Sequence, residues 1–501
     1  MAYQGLRDWI GKIEDEGQLK RITAEVDWDL EIGGIARWMA NRQGPALLFQ
    51  NIKDYQNTEC RKFFINGLGS RERVAMALRL PRETQYKEIV EFFKENLGRR
   101  VDPVKVASGP VKENIIKGDA VDLYQFPAPR YNSLDGGRYI NTNGCVVTMD
   151  PESKIMNIGI YRGMIGDNQK SIPVLLVRGQ HWGQHFTKYE KRGEEMPVAV
   201  AFGVDPTLLI CAGTPIIHPG CSEYEVAGGL RGEPLELVKC ETSDLYVPAS
   251  AEIVIEGRIS PDEKTFHMEG QFGEYPGFYG GDRRPRPVIR VECISYRDDP
   301  IMEAGLAGHS PGRLGESAYW HVPCGAAAVW RALEDMGVPN ITAVWSPLPT
   351  MLTNMRVQID KSYRGHAKQV AAALWGSKIS IYYAKNLIIV DKDIDIFDDE
   401  AVEWAMAYRT NADMEDIQFF SGTLGSPLDP SVPLPQRDTR KYGGGKWTRV
   451  FVDATVNWDL EPEEQYGGER QPPMCTIIHP DTAELIRRRW QEYGFETPSD
   501  A

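Results

Sequence analysis

Most of the usual markers of a chemical function are missing from this sequence. Its eight cysteines stand at 60, 145, 211, 221, 240, 293, 324 and 475, with no Cys-x-x-Cys pair. In a chain of 501 residues they read as reduced, mostly buried thiols and exclude a disulfide framework. No apolar run approaches the ~20 residues that span a bilayer. The opening MAYQGLRDWIGKI is amphipathic, and the acidic residues near it argue against a signal or transit peptide. A cytoplasmic protein is the expectation. Basic residues are outnumbered, 57 to 71, giving a net charge of -14. With no basic stripe, a general nucleic-acid binder is excluded. A phosphate-bearing cofactor is not, because it needs only a few local cations.

Nucleotide and nucleophile motifs are also absent. There is no G-x-G-x-x-G after a strand, no Walker lysine loop and no G-x-S-x-G elbow. The glycine-rich stretches 228–232 and 442–445 lack a strand-loop-helix setting and read as turns. The eight histidines fall at no zinc spacing. There is no internal repeat and no low-complexity tract.

The length exceeds what one core supports, so two or three domains are expected. Residues 1–114 read as a small α/β unit. Leu6, Trp9, Ile10 and Ile13 fall at helical spacing, short strands follow at 20–26 and 46–52, and Ser70 caps a further helix. Residues 115–318 carry short alternating or apolar runs (144–149, 157–161, 174–177, 198–203, 251–259) between Gly, Pro and Asp turns. That texture predicts an antiparallel β-rich domain, barrel or sandwich, with one helix over 223–230. Helices return in 319–501: a Trp330, Leu333, Met336 stripe, then 367–374 and 400–408. They surround a strand or strand pair at 378–390 and a long loop at 421–445. A terminal helix over 482–492 ends in the basic cluster Arg487–Arg489. The fold class is α/β with a central β-rich domain.

What the chain does have is Glu269-Gly-Gln-Phe-Gly-Glu274, followed by the turn-rich YPGFYGG. Two carboxylates held close push each other's pKa apart, supplying one proton donor and one anchoring anion. A solvated acidic loop is the competing reading. Arg162 is a candidate bridge, since a guanidinium binds two carboxylates and sets which stays ionised. Asn157, His181 and Glu223 form an oxygen/nitrogen set suited to Mn²⁺ or Mg²⁺ rather than zinc. Spacing alone does not show that they converge. Asn157 and Arg162 are five apart, so they share a pocket only if their strand ends, bends or bulges.

At these residues the chain resembles the UbiD family of reversible decarboxylases, which use prenylated FMN. The likeness runs through MAYQGLRDWIGKIEDEGQLKRI, Asn157–Arg162, Gln180-His181, SEYE (222–225), LELVKCETSDLYVP (235–248), Glu269–Glu274 and IIVDKDIDIFDDEAVEWAM (388–406). The resemblance implies a split β-barrel of flavin-reductase type, flanked by a small N-terminal α/β domain and a C-terminal α/β domain that drives oligomerisation. It implies that Asn157, His181 and Glu223 hold a divalent ion (Mn²⁺, or Mg²⁺ or Fe²⁺). Backbone at Ile158, Cys211, Ala212 and Thr214 would face K⁺. Ile158, Ile160, Tyr161, Arg162, Gln180, His181, Thr214, Pro215 and Lys385 would contact the cofactor, Lys385 through its phosphate. Arg162, Glu269 and Glu274 would be the catalytic network, with Glu274 the acid/base. The implied reaction is non-oxidative decarboxylation of an aromatic, hydroxyaryl acid, reversible at high CO₂.

Several readings stay open. The same core serves acrylic-acid and aryl-CoA (phthaloyl-CoA type) decarboxylases, and a cofactor-binding subunit of a larger carboxylase is a further alternative. His309 and Arg313, with Trp320 and His321, are either substrate contacts or packing and hinge residues. The basic tract Arg283–Arg286 is a solvated turn, a subunit contact or a site for CoA phosphates. The expected partners are an aromatic acid or its CoA thioester, a flavin prenyltransferase, and further copies of the chain in a dimer or hexamer. No nucleic acid and no membrane are expected.

Overall fold

A computed structural model describes residues 3–215, 220–280, 282–310 and 312–495. Three main sheets follow one another along it. The first has the order Leu19–Ile22, Ala46–Phe49, Lys62–Ile65, Ile301–Ala304. Its last strand arrives from far along the chain and pairs in parallel with Lys62–Ile65, tying the N-terminal layer to the middle of the molecule. The amphipathic opening forms the helix Leu6–Asp15, burying Leu6, Trp9, Ile10 and Ile13 as the spacing predicts. Ser70 caps Arg71–Ala77 by accepting from the Arg73 N–H at 3.2 Å.

The central sheet is antiparallel, in the order Ser171–Pro173, Val288–Tyr296, Ile253–Ile259, Met196–Phe202, Cys145–Met149, Met156–Ile160, with Asn114–Lys117 added to Val288–Tyr296. Its path is open: among the described residues no pairing joins the 171–173 end to the 156–160 end. The expected strand over 174–177 is reduced to a single bridge from Val174 to Gly163. Pro173, which has no N–H to donate, ends the ladder there.

The third sheet, Ile341–Trp345, Asn354–Ile359, Asn386–Asp391, Gly445–Ala454 and Ile417–Gly425, mixes parallel and antiparallel pairs. The helices Glu316–Asp335, His366–Gly376 and Asp399–Tyr408 accompany it. Three expectations change here. The run 378–390 is a 3₁₀ turn, Lys378–Tyr382, followed by the strand Asn386–Asp391, with Ala384 at φ +53° between them. The long loop shrinks because Gly425 still belongs to a strand; a Cβ there would lie 2.1 Å from the Trp447 ring, so the glycine serves a cross-strand aromatic. Gly228 and Gly229 are not a turn. They lie inside the helix Glu223–Arg231, where the backbone of residues 99–101 comes too close for a side chain.

Buried apolar residues fall into two clusters, one containing Ile158, Ala212 and Trp320, the other Phe272 and Leu306. A cavity of about 440 Å³ opens on the seam between them.

Candidate active site

The strand Met156–Ile160 stops before Arg162, so the strict alternation that would separate Asn157 from Arg162 no longer applies. Both line the cavity. Arg162 is buried and takes Glu269 side-on, Nε donating to Oε1 at 2.9 Å and Nη2 to Oε2 at 3.0 Å. Its Nη1 donates to Glu274 Oε1. A bidentate pair fixes the guanidinium plane and makes the third contact directional.

The hexapeptide is folded, not solvated. Glu269 ends the strand His267–Glu269 against Arg284–Arg286, and Phe272–Gly273 pairs with Tyr279–Gly280. Gly277 turns that hairpin at φ +81°, where an added Cβ would sit 2.1 Å from the His309 carbonyl. The two acids face different surroundings. Glu269 is fully buried, also accepts from the Tyr139 hydroxyl at 3.0 Å, and has Arg286 Nε 3.9 Å away. Glu274 lines the cavity, and burial raises its pKa against the lowering effect of Arg162.

At another wall Asn157, His181 and Glu223 do converge. Asn157 Nδ2 lies 3.2 Å from His181 Nδ1 and 2.8 Å from Glu223 Oε1. Glu223 opens the helix Glu223–Arg231 and accepts the Ile158 N–H at 2.7 Å; His181 is the first residue of the helix His181–Arg192. Burial pushes Glu223 up to about 7 and His181 down to about 4, the latter helped by nearby Lys378. Asn157 Oδ1 is buried with no hydrogen-bond partner. Turning the Asn157 amide over would place its unpartnered oxygen beside that nitrogen and carboxylate, a donor set that fits a hard cation. Among the described residues no group of three or more His, Cys, Asp and Glu gathers for a metal, and this trio has only two of those types.

Ile158, Ile160, Tyr161, Gln180, Ala212, Thr214 and Pro215 line the cavity as well, while Cys211 is buried just behind it. Tyr161 stacks on Trp182 at 4.1 Å between centroids, forming a flat wall. Trp320 and His321 reach the cavity from the helix Glu316–Asp335.

Three expected contacts are not brought there. Lys385 donates to Asp429 and Ser431, both at 2.8 Å, and is absent from the lining. His309 is buried in its own loop, its Nδ1 accepting the Gly315 N–H at 2.8 Å, with Ser317 Oγ 3.3 Å from Nε2. Arg313 is exposed in the turn bridged by Ser310. The sequence reading missed Lys378, an exposed residue at the cavity wall whose side chain makes no hydrogen bond or ion pair with another described residue. It missed Tyr139 and Arg286 too. No local motif marks any of these; sheet pairing brings in Tyr139 and Arg286, and a 3₁₀ turn brings in Lys378. The basic tract is partly spent, with Arg286 turned inward and Arg284 paired to Asp282 at 3.6 Å.

Three family models match the chain, the N-terminal (residues 10–93), Rift-related (102–310) and C-terminal (323–454) domains of 3-octaprenyl-4-hydroxybenzoate carboxy-lyase, UbiD. A phenolic acid decarboxylase of Streptomyces sp. is 35% identical, over 97% of this chain and 98% of that protein. The vanillic acid decarboxylase of Sedimentibacter hydroxybenzoicus, in closed form, superposes with a TM-score of 0.87 at 29% identity, covering 98% and 99% of the two chains. An evolved dimeric form of the UbiD-class enzyme HmfF from Pelotomaculum thermopropionicum, in complex with prFMN, gives 0.76 at 28% identity, covering 97% and 100%.

Proposed function

Because the chain belongs to the UbiD family of carboxy-lyases and is a decarboxylase, we propose that it removes CO₂ reversibly from a free hydroxyaryl carboxylic acid, using prenylated FMN and Glu274 as proton donor. The observation that carries this reading is the asymmetry of the two acids on Arg162. Glu269 is sealed among cations and a phenol, whereas Glu274 faces the cavity with a raised pKa. A carboxyl raised above its ordinary range is the proton-holding member of the pair, and the bidentate glutamate keeps the guanidinium in place to steady the carboxylate form.

When bound, prenylated FMN would supply the electron sink that the pair left by CO₂ requires and that no side chain offers. The chain's own residues do the rest. Arg162 holds the two glutamates at fixed separation. Glu274 delivers a proton to the ring carbon that lost CO₂, and takes one back in the carboxylation direction. The Tyr161–Trp182 stack and Phe272 exclude water on the cavity walls. Asn157, His181 and Glu223 would hold Mn²⁺, or Mg²⁺ or Fe²⁺, whose charge would anchor a phosphate with Lys378 beside it. The carbonyls of Ile158, Cys211, Ala212 and Thr214 would serve K⁺. The open antiparallel sheet is the part of the fold read as the split barrel.

A free acid is favoured over a CoA thioester because two of the three arginines in the 283–286 tract are engaged. Self-association through the C-terminal layer is supported by the edge strand Ile417–Gly425, where Phe419 and Phe420 are 71% and 57% exposed, and by the helix Pro480–Arg489, which buries no residue.

The deciding experiment is anaerobic co-expression with a flavin prenyltransferase. Absorbance and bound metal are recorded first, then CO₂ release from hydroxybenzoates, cinnamates and aryl-CoA acids. A flavin-loaded protein that releases CO₂ from none of the free aromatic acids overturns the proposal.

A further inference from the structure

Resting on the decarboxylase reading, we propose that Tyr383 selects the substrate, accepting a hydrogen bond from a donor on the ring, a hydroxyl or an N–H, with His321 fixing it in that role. Tyr383 and His321 both line the cavity, and the Tyr383 hydroxyl lies 3.1 Å from His321 Nε2. The imidazole is half-buried and neutral, desolvation holding it down to about 4, and the Gly213 backbone carbonyl faces it. A neutral imidazole has one proton, and a carbonyl can only accept, so that contact uses it. Nε2 is then an acceptor, and the Tyr383 hydroxyl must donate to it.

The consequence reaches the cavity. A phenol whose proton is committed to histidine has only oxygen lone pairs left to offer. Burial keeps that phenol protonated at neutral pH, so the arrangement is set before substrate arrives. The geometry is held from behind. Gly213 ends the helix Pro206–Gly213, and a Cβ on it would lie 2.2 Å from Trp320, so helix and ring are in direct contact beside His321. On the other side Tyr275, next in the chain to Glu274, lies close enough to perturb Tyr383, but its own hydroxyl is engaged with Ser426 Oγ at 2.8 Å. Tyr383 is thus the cavity phenol with an assigned polarity. A ring bearing a hydroxyl or N–H satisfies it. A methyl ether, which can only accept, sets two acceptors against each other, and an unsatisfied buried pair of this kind disfavours binding about tenfold or more.

The test uses the flavin-loaded protein with the hydroxybenzoate isomers and their methyl ethers, measuring Kd by calorimetry and kcat/KM by CO₂ release. In the wild type at least one hydroxy acid should be preferred over its ether by about tenfold or more. Tyr383→Phe should collapse that ratio toward unity, chiefly through Kd and KM. His321→Leu frees the phenol proton to point at the ligand and should shift the ratio toward the ether. Flavin absorbance and Tm confirm that each variant is folded. A wild type that does not discriminate, or a ratio unchanged in Tyr383→Phe, overturns the proposal, as does failure of every acid to bind. Discriminating binding without CO₂ release would leave this assignment standing and sink the decarboxylase reading. CO₂ release without discrimination would do the reverse.

Discussion

Glu269 and Glu274 share one guanidinium, but Glu269 spans two of its nitrogens while Glu274 takes one. The first geometry is an anchor and the second leaves the Glu274 carboxyl at the cavity wall. Glu274→Gln keeps the volume and a hydrogen-bonding group but cannot give up a proton in turnover. CO₂ release should fall by roughly 10²–10⁴-fold, the usual worth of a positioned acid, with flavin content preserved. Turnover retained within a few-fold would remove Glu274 from the mechanism.

Glu269→Gln should behave differently, because it attacks the anchor. It leaves the buried Arg162 short of charge compensation, a change that typically costs about 3–5 kcal/mol. Chemical denaturation should show that loss. Tyr139→Phe removes a hydroxyl that bonds the same carboxylate and the Gln271 carbonyl but removes no charge, and should cost less, about 1.5–3 kcal/mol. Equal effects of the two variants would mean that Glu269 is not the ionised partner.

Lys378 and Lys385 separate by the same logic. Lys385 is paired to Asp429, whereas Lys378 has no partner among the described residues and lines the cavity. Lys378→Met should weaken FMN retention by about tenfold, the scale of one lost charge-assisted bond to phosphate. Lys385→Met should lower stability by up to about 1 kcal/mol and leave FMN affinity alone. Equilibrium dialysis against FMN reads both, and the opposite ranking would restore Lys385 to the phosphate.

Much of this was legible before any coordinates. The period of Leu6, Trp9, Ile10 and Ile13 dictates a buried helical face, and the β-rich middle follows from short runs between turn residues. The site was legible where its residues sit in ordered local motifs, as with Asn157–Arg162 and the hexapeptide. It was not legible where register decides. Arg286 reaches Glu269 because 284–286 pairs with 267–269, and Tyr139 arrives from a two-stranded ribbon with 163–164. Nor does a motif distinguish Lys378 from Lys385, seven residues apart; a 3₁₀ turn faces one to the cavity and the strand start pairs the other. His309 and Arg313 sit in a segment adjoining the cavity, but backbone turns direct one inward to its own loop and the other to solvent.

The Asn157, His181 and Glu223 trio predicts a metal-dependent stability. Protein purified with Mn²⁺ should carry about one ion per chain, and exhaustive chelation should lower Tm by several degrees, since any ligand of the native state stabilises it. Asn157→Leu should abolish the metal-dependent part of Tm while filling the space. Elemental analysis and thermal melts with and without Mn²⁺ check it. A chelator-insensitive Tm together with no bound metal would reject the site.

Stability should also fall at mildly alkaline pH, for a reason outside the active-site network. Glu303 is buried, and its pKa is pushed up to about 8 by burial and then by Glu316, although it accepts the Gly203 N–H at 3.2 Å. Unfolding returns it to the ordinary carboxyl range, so the folded state binds more protons than the unfolded state between these limits. Stability from this group is present at low pH and is lost as pH rises toward 8. The desolvated histidines work oppositely and lower down. His309 and His321 are depressed to about 3 and 4, so their contribution grows as pH rises and is complete near 6.5. Glu223 and Glu316, raised to about 7, have mostly ionised by pH 7.5. Glu303's share of the decline above pH 7 has a slope of at most about 1.4 kcal/mol per pH unit, and thiols whose pKa burial raises add to the decline as pH nears 8. Urea unfolding at pH 7 and 8 measures the total, and Glu303→Gln, which cannot ionise, should remove the Glu303 share. A slope undiminished in Glu303→Gln would assign the effect to the other groups.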